Sequence, residues 1–232
     1  MNLRNTYLGN FLNLLFPRLC QACRASLLGT EDLLCTHCLY DLPYTNFASQ
    51  PGNIVAQQFW GKVNVQFAYA LLYFEKGGKV QHLIHQFKYK DMPAIGNKLG
   101  NIAGEQLIVN PSLGTVDYII PVPLHKNRLR ERGYNQSARF AQGLADKLSA
   151  PALENNLVRL VKTSTQTRKS RFERHENMKQ VFAVLKPEQL AGKHILLVDD
   201  IVTTGSTLEA CAQELLKVQG LTLSIATIAY AV

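Results

Sequence analysis

The sequence predicts an α/β fold: a doubly wound, mostly parallel sheet preceded by a small cysteine-knuckle module. Three observations predict it. The apolar run 195–198 ends in the carboxylates Asp199 and Asp200. It then passes through Thr203, Thr204, Gly205, Ser206 and Thr207 into a helix with Leu208, Cys211, Ala212 and Leu215 on one stripe. A second strand–loop–helix starts at residues 116–122 and ends in a helix carrying Ala138, Ala141, Leu144, Ala145 and Leu148. Strand, turn and amphipathic helix form the repeating unit of such sheets. Two Cys-x-x-Cys pairs near the start set a separate unit ahead of the sheet. The predicted division is 1–50, an N-terminal helix and the cysteine module, and 51–232, the α/β domain.

Each element has its own signal. Leu8, Phe11, Leu12 and Leu15 predict a short amphipathic helix over 6–16, with packing on the protein's own core favoured over membrane contact. Residues 41–66 hold Pro43, Pro51 and Gly52 with little periodicity and read as a linker. Residues 67–74 read as a strand, and Gly77-Gly78 break the chain after it. Val80, Leu83, Ile84 and Phe87 then give helical spacing over 79–90, with Lys79, His82, His85, Lys88 and Lys90 on other faces. Two readings stay open there: a basic helix touching nucleic acid, or a core helix with a solvated face. A second helix is predicted over 95–107. Pro121 marks the end of the strand at 116–122. Residues 124–134 read as a long cationic loop, with Asn135 as N-cap of the helix beyond it. Residues 222–232 are apolar and β-branched and complete the sheet.

A chain of 232 residues with 47% hydrophobic and 18% charged residues has the composition of a globular protein with a full core. Its formal charge of +8 is concentrated. Residues 121–180 hold 13 Lys and Arg against 5 Asp and Glu, while the remainder holds 12 of each. One quarter of the chain thus carries the whole excess, which points to a polyanionic partner there. No apolar run approaches the ~20 residues that span a bilayer. Residues 11–16 are too short, are broken by Asn13, and lead into Pro17-Arg18 instead of a cleavage site. The expectation is a cytoplasmic protein with reduced thiols and no stable membrane insertion.

Cys20, Cys23, Cys35 and Cys38 are spaced for a tetrahedral Zn²⁺ site. Four protein ligands leave no open position, so the predicted zinc is structural. A pair of redox dithiols fits less well, because neither knuckle lies in a strand–helix context. His37 is an alternative ligand. Cys211 lies on an apolar helical stripe and reads as buried.

The loop after residue 202 has its own chemistry. Four hydroxyls and free N–H groups lead into a helix N-terminus, where an anion is favoured. Gly205 permits a tight turn and close approach to a phosphate. Two carboxylates beside it suit a sugar diol or a Mg²⁺ bridging to further phosphates. The ligand described is a ribose with a 5′-phosphate bearing a metal-bound pyrophosphate. Neither a Walker A loop nor a dinucleotide fingerprint is present.

The string VDDIVTTGST resembles the phosphoribosyl-pyrophosphate (PRPP) motif of type I phosphoribosyltransferases. The resemblance implies that Asp199 and Asp200 are the catalytic acids and bind the ribose hydroxyls. It implies that Thr203, Thr204, Gly205, Ser206 and Thr207 bind the 5′-phosphate, with Mg²⁺ accompanying PRPP. The strand–loop–helix at 116–148 then carries the pyrophosphate loop, in which Lys126, Arg128, Arg130 and Arg132 would share pyrophosphate and nucleic-acid backbone between them.

More specifically, the chain resembles the ComF/GntX family. The resemblance rests on Pro-Val-Pro-Leu-His at 121–125, Arg-x-Arg-Gly-Tyr-Asn-Gln at 130–136, and Leu-Ile-His-x-x-Lys-Tyr-Lys at 83–90. It rests also on Arg159, Thr163, Gln166, Arg174, Asn177 and Phe182, and on the doubled knuckles. Residues 163–176 would be a flexible loop covering PRPP. Lys169 departs from the pattern, where a leucine is expected. The resemblance implies a protein that binds PRPP and single-stranded DNA and handles internalised DNA during natural transformation or DNA utilisation. A DNA helicase or recombination mediator would be its partner. The alternative is an active phosphoribosyltransferase that passes ribose 5-phosphate to a nitrogenous acceptor. A third reading is a zinc-ribbon interaction protein that does not bind PRPP.

Overall fold

The computed structural model describes residues 16–160 and 181–231. Its main sheet has four strands in the order β1 (Phe67–Phe74), β6 (Thr222–Ala231), β5 (His194–Val202) and β2 (Tyr118–Pro121), every neighbour parallel. The central pair explains the apolar runs. Residues 195–198 of β5 and Ile225, Ala226, Ile228 and Ala229 of β6 have no exposed surface, as strands covered on both faces require. Proline ends β2 on an edge of the sheet, where a missing ladder donor is tolerated.

At the amino ends of the strands, Asp117 Oδ2 accepts the His194 N–H at 2.8 Å. The His194 ring bridges the Thr115 carbonyl and Ser224 Oγ, each at 2.8 Å. This clasp fixes the register of β2, β5 and β6, and with it the point at which β5 delivers its acids. The strand runs on through Asp199 and Asp200 to Val202, further than its apolar run suggests.

The helices up to β1 are α1 (Thr36–Asp41) and α2 (Ile54–Gln57), followed by α3 (Lys79–Tyr89) and α4 (Ala94–Leu107). After β2 come α5 (Lys126–Arg132) and α6 (Gln136–Leu148). Beyond these are α7 (Pro187–Leu190) and α8 (Ser206–Leu215). Helices α4 and α6 cross at glycines. A Cβ on Gly143 would stand 2.2 Å from the Asn97 carbonyl, and one on Gly100 2.4 Å from that of Phe140. Only bare backbone allows this approach, which holds α6 close against α4. A separate antiparallel pair, β3 (Leu157–Arg159) and β4 (Phe182–Val184), places Arg159 over the Phe182 ring at 5.5 Å.

Two expectations need correction. Residues 41–66 are not a linker. Thr45 N–H donates to Leu71 O and Tyr73 N–H to Pro43 O, so this stretch covers the outer edge of β1. Asn53 caps α2 through Val55 and Ala56 N–H and ties it to Ala68 O at 2.8 Å, while Phe47, Val55 and Phe59 enter the core. Residues 124–134 are not wholly loop either. His125 caps α5 at Asn127 N–H, and Gly133, at φ +77°, ends it. The predicted helix at 6–16 lies outside the described residues.

Candidate functional site

The carboxyl end of β5 gathers the chemistry. Ser137, at the start of α6, donates its hydroxyl to Asp199 Oδ1 at 2.8 Å, and Asp200 N–H reaches the same oxygen at 2.8 Å. Burial, and next the adjacent Asp200 carboxylate, push Asp199 up to about 7 against these two hydrogen bonds. Asp200 is held differently. Lys88, the last lysine of α3, lies 2.7 Å from its Oδ2, with 17% and 15% of the two side chains exposed. Both acids keep an oxygen unused by any hydrogen bond or ion pair among the described residues, so the pair still offers the hard oxygen donors that Mg²⁺ takes.

Beyond Val202 the chain turns at Gly205, at φ +73°, into α8. A Cβ at Gly205 would come 3.1 Å from Gln58 Oε1 and 3.3 Å from the Phe59 ring. Gln58 Nε2 also donates to Thr203 O at 2.8 Å. The stretch before β1 therefore braces the turn. Thr203, Thr204, Ser206 and Thr207 are exposed, and the Thr204 and Ser206 hydroxyls lie 3.2 Å apart. A concavity lined by Asp199, Thr203 and residues 205–208 joins the first acid to the first turn of α8, whose free N–H groups suit an anion.

The four cations after β2 divide. Lys126, Arg128 and Arg130 are exposed and make no salt bridge among the described residues. Arg132 is partly buried, lies 5.5 Å over the Tyr89 ring and donates to Gln136 Oε1 at 2.9 Å. Helix α3 resolves its two readings in part: Val80, Leu83, Ile84 and Phe87 enter the core, yet Lys88 turns to the acids. Thr163, Gln166, Arg174 and Asn177 lie outside the described residues. Lys88, Ser137 and Gln58 were not predicted as site members. Lys88 alone had a signal, as the first of two lysines in the 83–90 string.

A second cluster stands apart. The sulfurs of Cys20, Cys23, Cys35 and Cys38 lie within 4.8 Å of one another, Cys23 and Cys35 at 3.7 Å. Zn–S bonds of ~2.3 Å set a tetrahedral edge near ~3.8 Å, so the cluster fits zinc. Cys35 N–H points at Cys20 Sγ and Cys38 N–H at Cys35 Sγ. Burial works against the Cys20 thiolate, but backbone N–H groups of Cys23, Cys35 and Ala22 outweigh it and pull the thiol down to about 6. Burial drives Cys38 the other way. The fifth thiol, Cys211, is fully buried in α8.

A parallel sheet with an acid pair and a hydroxyl-rich turn at the end of a central strand defines a protein of the type I phosphoribosyltransferase fold. Residues 135–231 match the phosphoribosyl transferase domain family. The chain is 30% identical over 204 residues to competence protein F of Haemophilus influenzae, covering 86% of this chain and 84% of that protein. It therefore belongs to the ComF/GntX family. It is also 35% identical over 138 residues to the DNA utilization protein YhgH of Salmonella typhi, across 58% of this chain and 60% of that one. A glutamine PRPP amidotransferase structure from B. subtilis aligns over 61% of this chain and 30% of its own, with 16% identity and a TM-score of 0.42. No helix among the described residues is long and apolar enough to cross a membrane.

Proposed function

We propose that this chain binds PRPP, accompanied by Mg²⁺, at the end of β5, and single-stranded DNA on its cationic segment, in handling DNA that has entered the cytoplasm. The observation that carries the reading is the meeting of Asp199 with the turn at 203–207 in one concavity. Carboxylates accept the ribose hydroxyls, and the first turn of α8 takes the 5′-phosphate. Lys126, Arg128 and Arg130 supply exposed charge for a phosphate backbone, and residues 163–176 add more. The names of the relatives, competence and DNA utilization, support the DNA half. A helicase or recombination mediator is the kind of protein that would work beside it. The cysteine module, within 1–50, holds zinc for structure, and residues 51–232 form the ligand-binding domain.

Phosphoribosyl transfer is the second reading, favoured by the domain match over 135–231. There the bound ligand's pyrophosphate would leave as a nitrogenous acceptor attacks C1, with the cations of this chain receiving the developing charge. Calorimetric titration of PRPP with Mg²⁺ tests what both readings share. Saturable binding is expected, with loss in Asp199→Asn/Asp200→Asn. Zinc-loaded, folded protein that takes no PRPP would leave only the DNA half standing.

A further inference from the structure

We infer that Lys88 is a ligand-binding residue that reads the diphosphate on C1 of the ribose, so that this site prefers PRPP over ribose 5-phosphate. The inference rests on the PRPP reading above and deepens it. Lys88 precedes the 135–231 match and comes from α3, a helix before the acids in the chain by more than a hundred residues.

Its surroundings make the case. The Lys88 side chain is only 17% exposed, and its ammonium has Asp200 as its one partner among the described residues. An ammonium carries three donors, and one carboxylate oxygen uses one of them. Holding a lysine so far from water is costly unless its remaining donors find acceptors. A simple counter-ion for Asp200 would serve as well from the surface.

Position supplies the acceptor. The concavity on the Asp199 side runs into the turn at 203–207, where a terminal phosphate belongs. Lys88 approaches the other acid, Asp200. Its helix is fastened to the segment after β2: Tyr134 donates its hydroxyl to Phe87 O, and Arg132 stacks on Tyr89. Lys88 thus stands between the ribose acids and the cationic segment. A ribose whose hydroxyls meet the acids and whose 5′-phosphate meets the turn presents its C1 substituent on this side. Ribose 5-phosphate carries only a hydroxyl there, and PRPP carries two phosphates. Lys88 keeps its hold on Asp200 and gives its free donors to the diphosphate, and a charge-assisted bond of this kind is strong.

The test is paired calorimetry of Lys88→Gln with PRPP and with ribose 5-phosphate. PRPP should weaken by about tenfold or more, the span of one charged hydrogen bond, while ribose 5-phosphate stays within about twofold. Lys88→Arg should restore most of the PRPP preference. Equal weakening of both compounds would overturn the inference, because Lys88 would then only arrange Asp200, and so would no weakening of either. Wild-type protein that binds neither compound would overturn the PRPP reading itself. If Lys88→Gln does not fold, acetic anhydride labelling of the wild-type protein decides: PRPP should protect Lys88 and ribose 5-phosphate should not, and equal protection would sink the idea.

Discussion

The Ser137 hydroxyl meets Asp199 Oδ1 at 2.8 Å, joining the first turn of α6 to the first of the two acids on β5. That bond joins residues 62 positions apart in the chain. The turn that carries Ser137 is held by the Asn135 cap, whose Oδ1 accepts the Ser137 N–H at 3.1 Å. The acid it orients is the one whose charge the fold resists, and this has a measurable consequence.

Asp199 is raised to about 7 in the folded chain from an ordinary 3.8. Between these values the folded chain holds a proton that the unfolded chain has lost. Stability therefore falls as pH rises through that window, and the penalty is complete above about pH 7 and absent below about pH 4. Asp199→Asn keeps an oxygen for Ser137 and removes the charge. Its advantage over the parent in urea denaturation should grow from near zero at pH 4 to at most about 4 kcal/mol at pH 8, three pH units at about 1.36 each. A difference constant across this range would show that Asp199 does not titrate there.

Zinc should be part of the fold's stability. Chelation is expected to release about one zinc per chain and to lower the melting temperature, since metal binding at a Cys₄ site is folding free energy. Cys38→Ser, at a fully buried ligand, should lose the metal. Cys211→Ser should keep it, since Cys211 lies in α8 and is not one of the four clustered thiols. Metal content by colorimetric assay with thermal melts separates these outcomes.

The exposed cations of α5 should be counted by salt. Each phosphate contact on a single strand contributes about 0.7 to the slope of log K against log salt. Arg128→Ala/Arg130→Ala should therefore flatten the slope for a short oligonucleotide by about 1.4 and leave PRPP binding nearly unchanged. An unchanged slope would move the DNA surface elsewhere on the chain.

How much of this was legible in the sequence depends on range. Strand β1, helices α3, α4 and α6, and the Asn135 cap all follow from local periodicity and capping chemistry, and the observed bounds lie close to the expected ones. The acids and the 203–207 turn are contiguous, so one string carries them. Ser137, Lys88 and Gln58 are joined to that string only by the fold, across 62, 112 and 145 positions. No spacing rule reaches so far. Residues 41–66 misled because the stretch earns its order from contact with β1 and the turn, and Pro43 and Pro51 mask a short helix whose cap, Asn53, was readable. Helix α5 was hidden by its charge: seven residues with none buried give no apolar period to detect.

The strand order has a consequence for synthesis. The first strand of the sheet, β1, lies against the last, β6, and β6 also separates it from β5. As the chain leaves the ribosome, β1, β2 and β5 emerge before the strand that must slot between two of them. Until residues 222–231 appear, β1 and β5 each present an open, apolar flank, the kind that recruits other chains. A chain halted before Thr222 would lack the strand that closes both flanks, and growth conditions that slow translation late in the message should enrich this protein among chaperone clients.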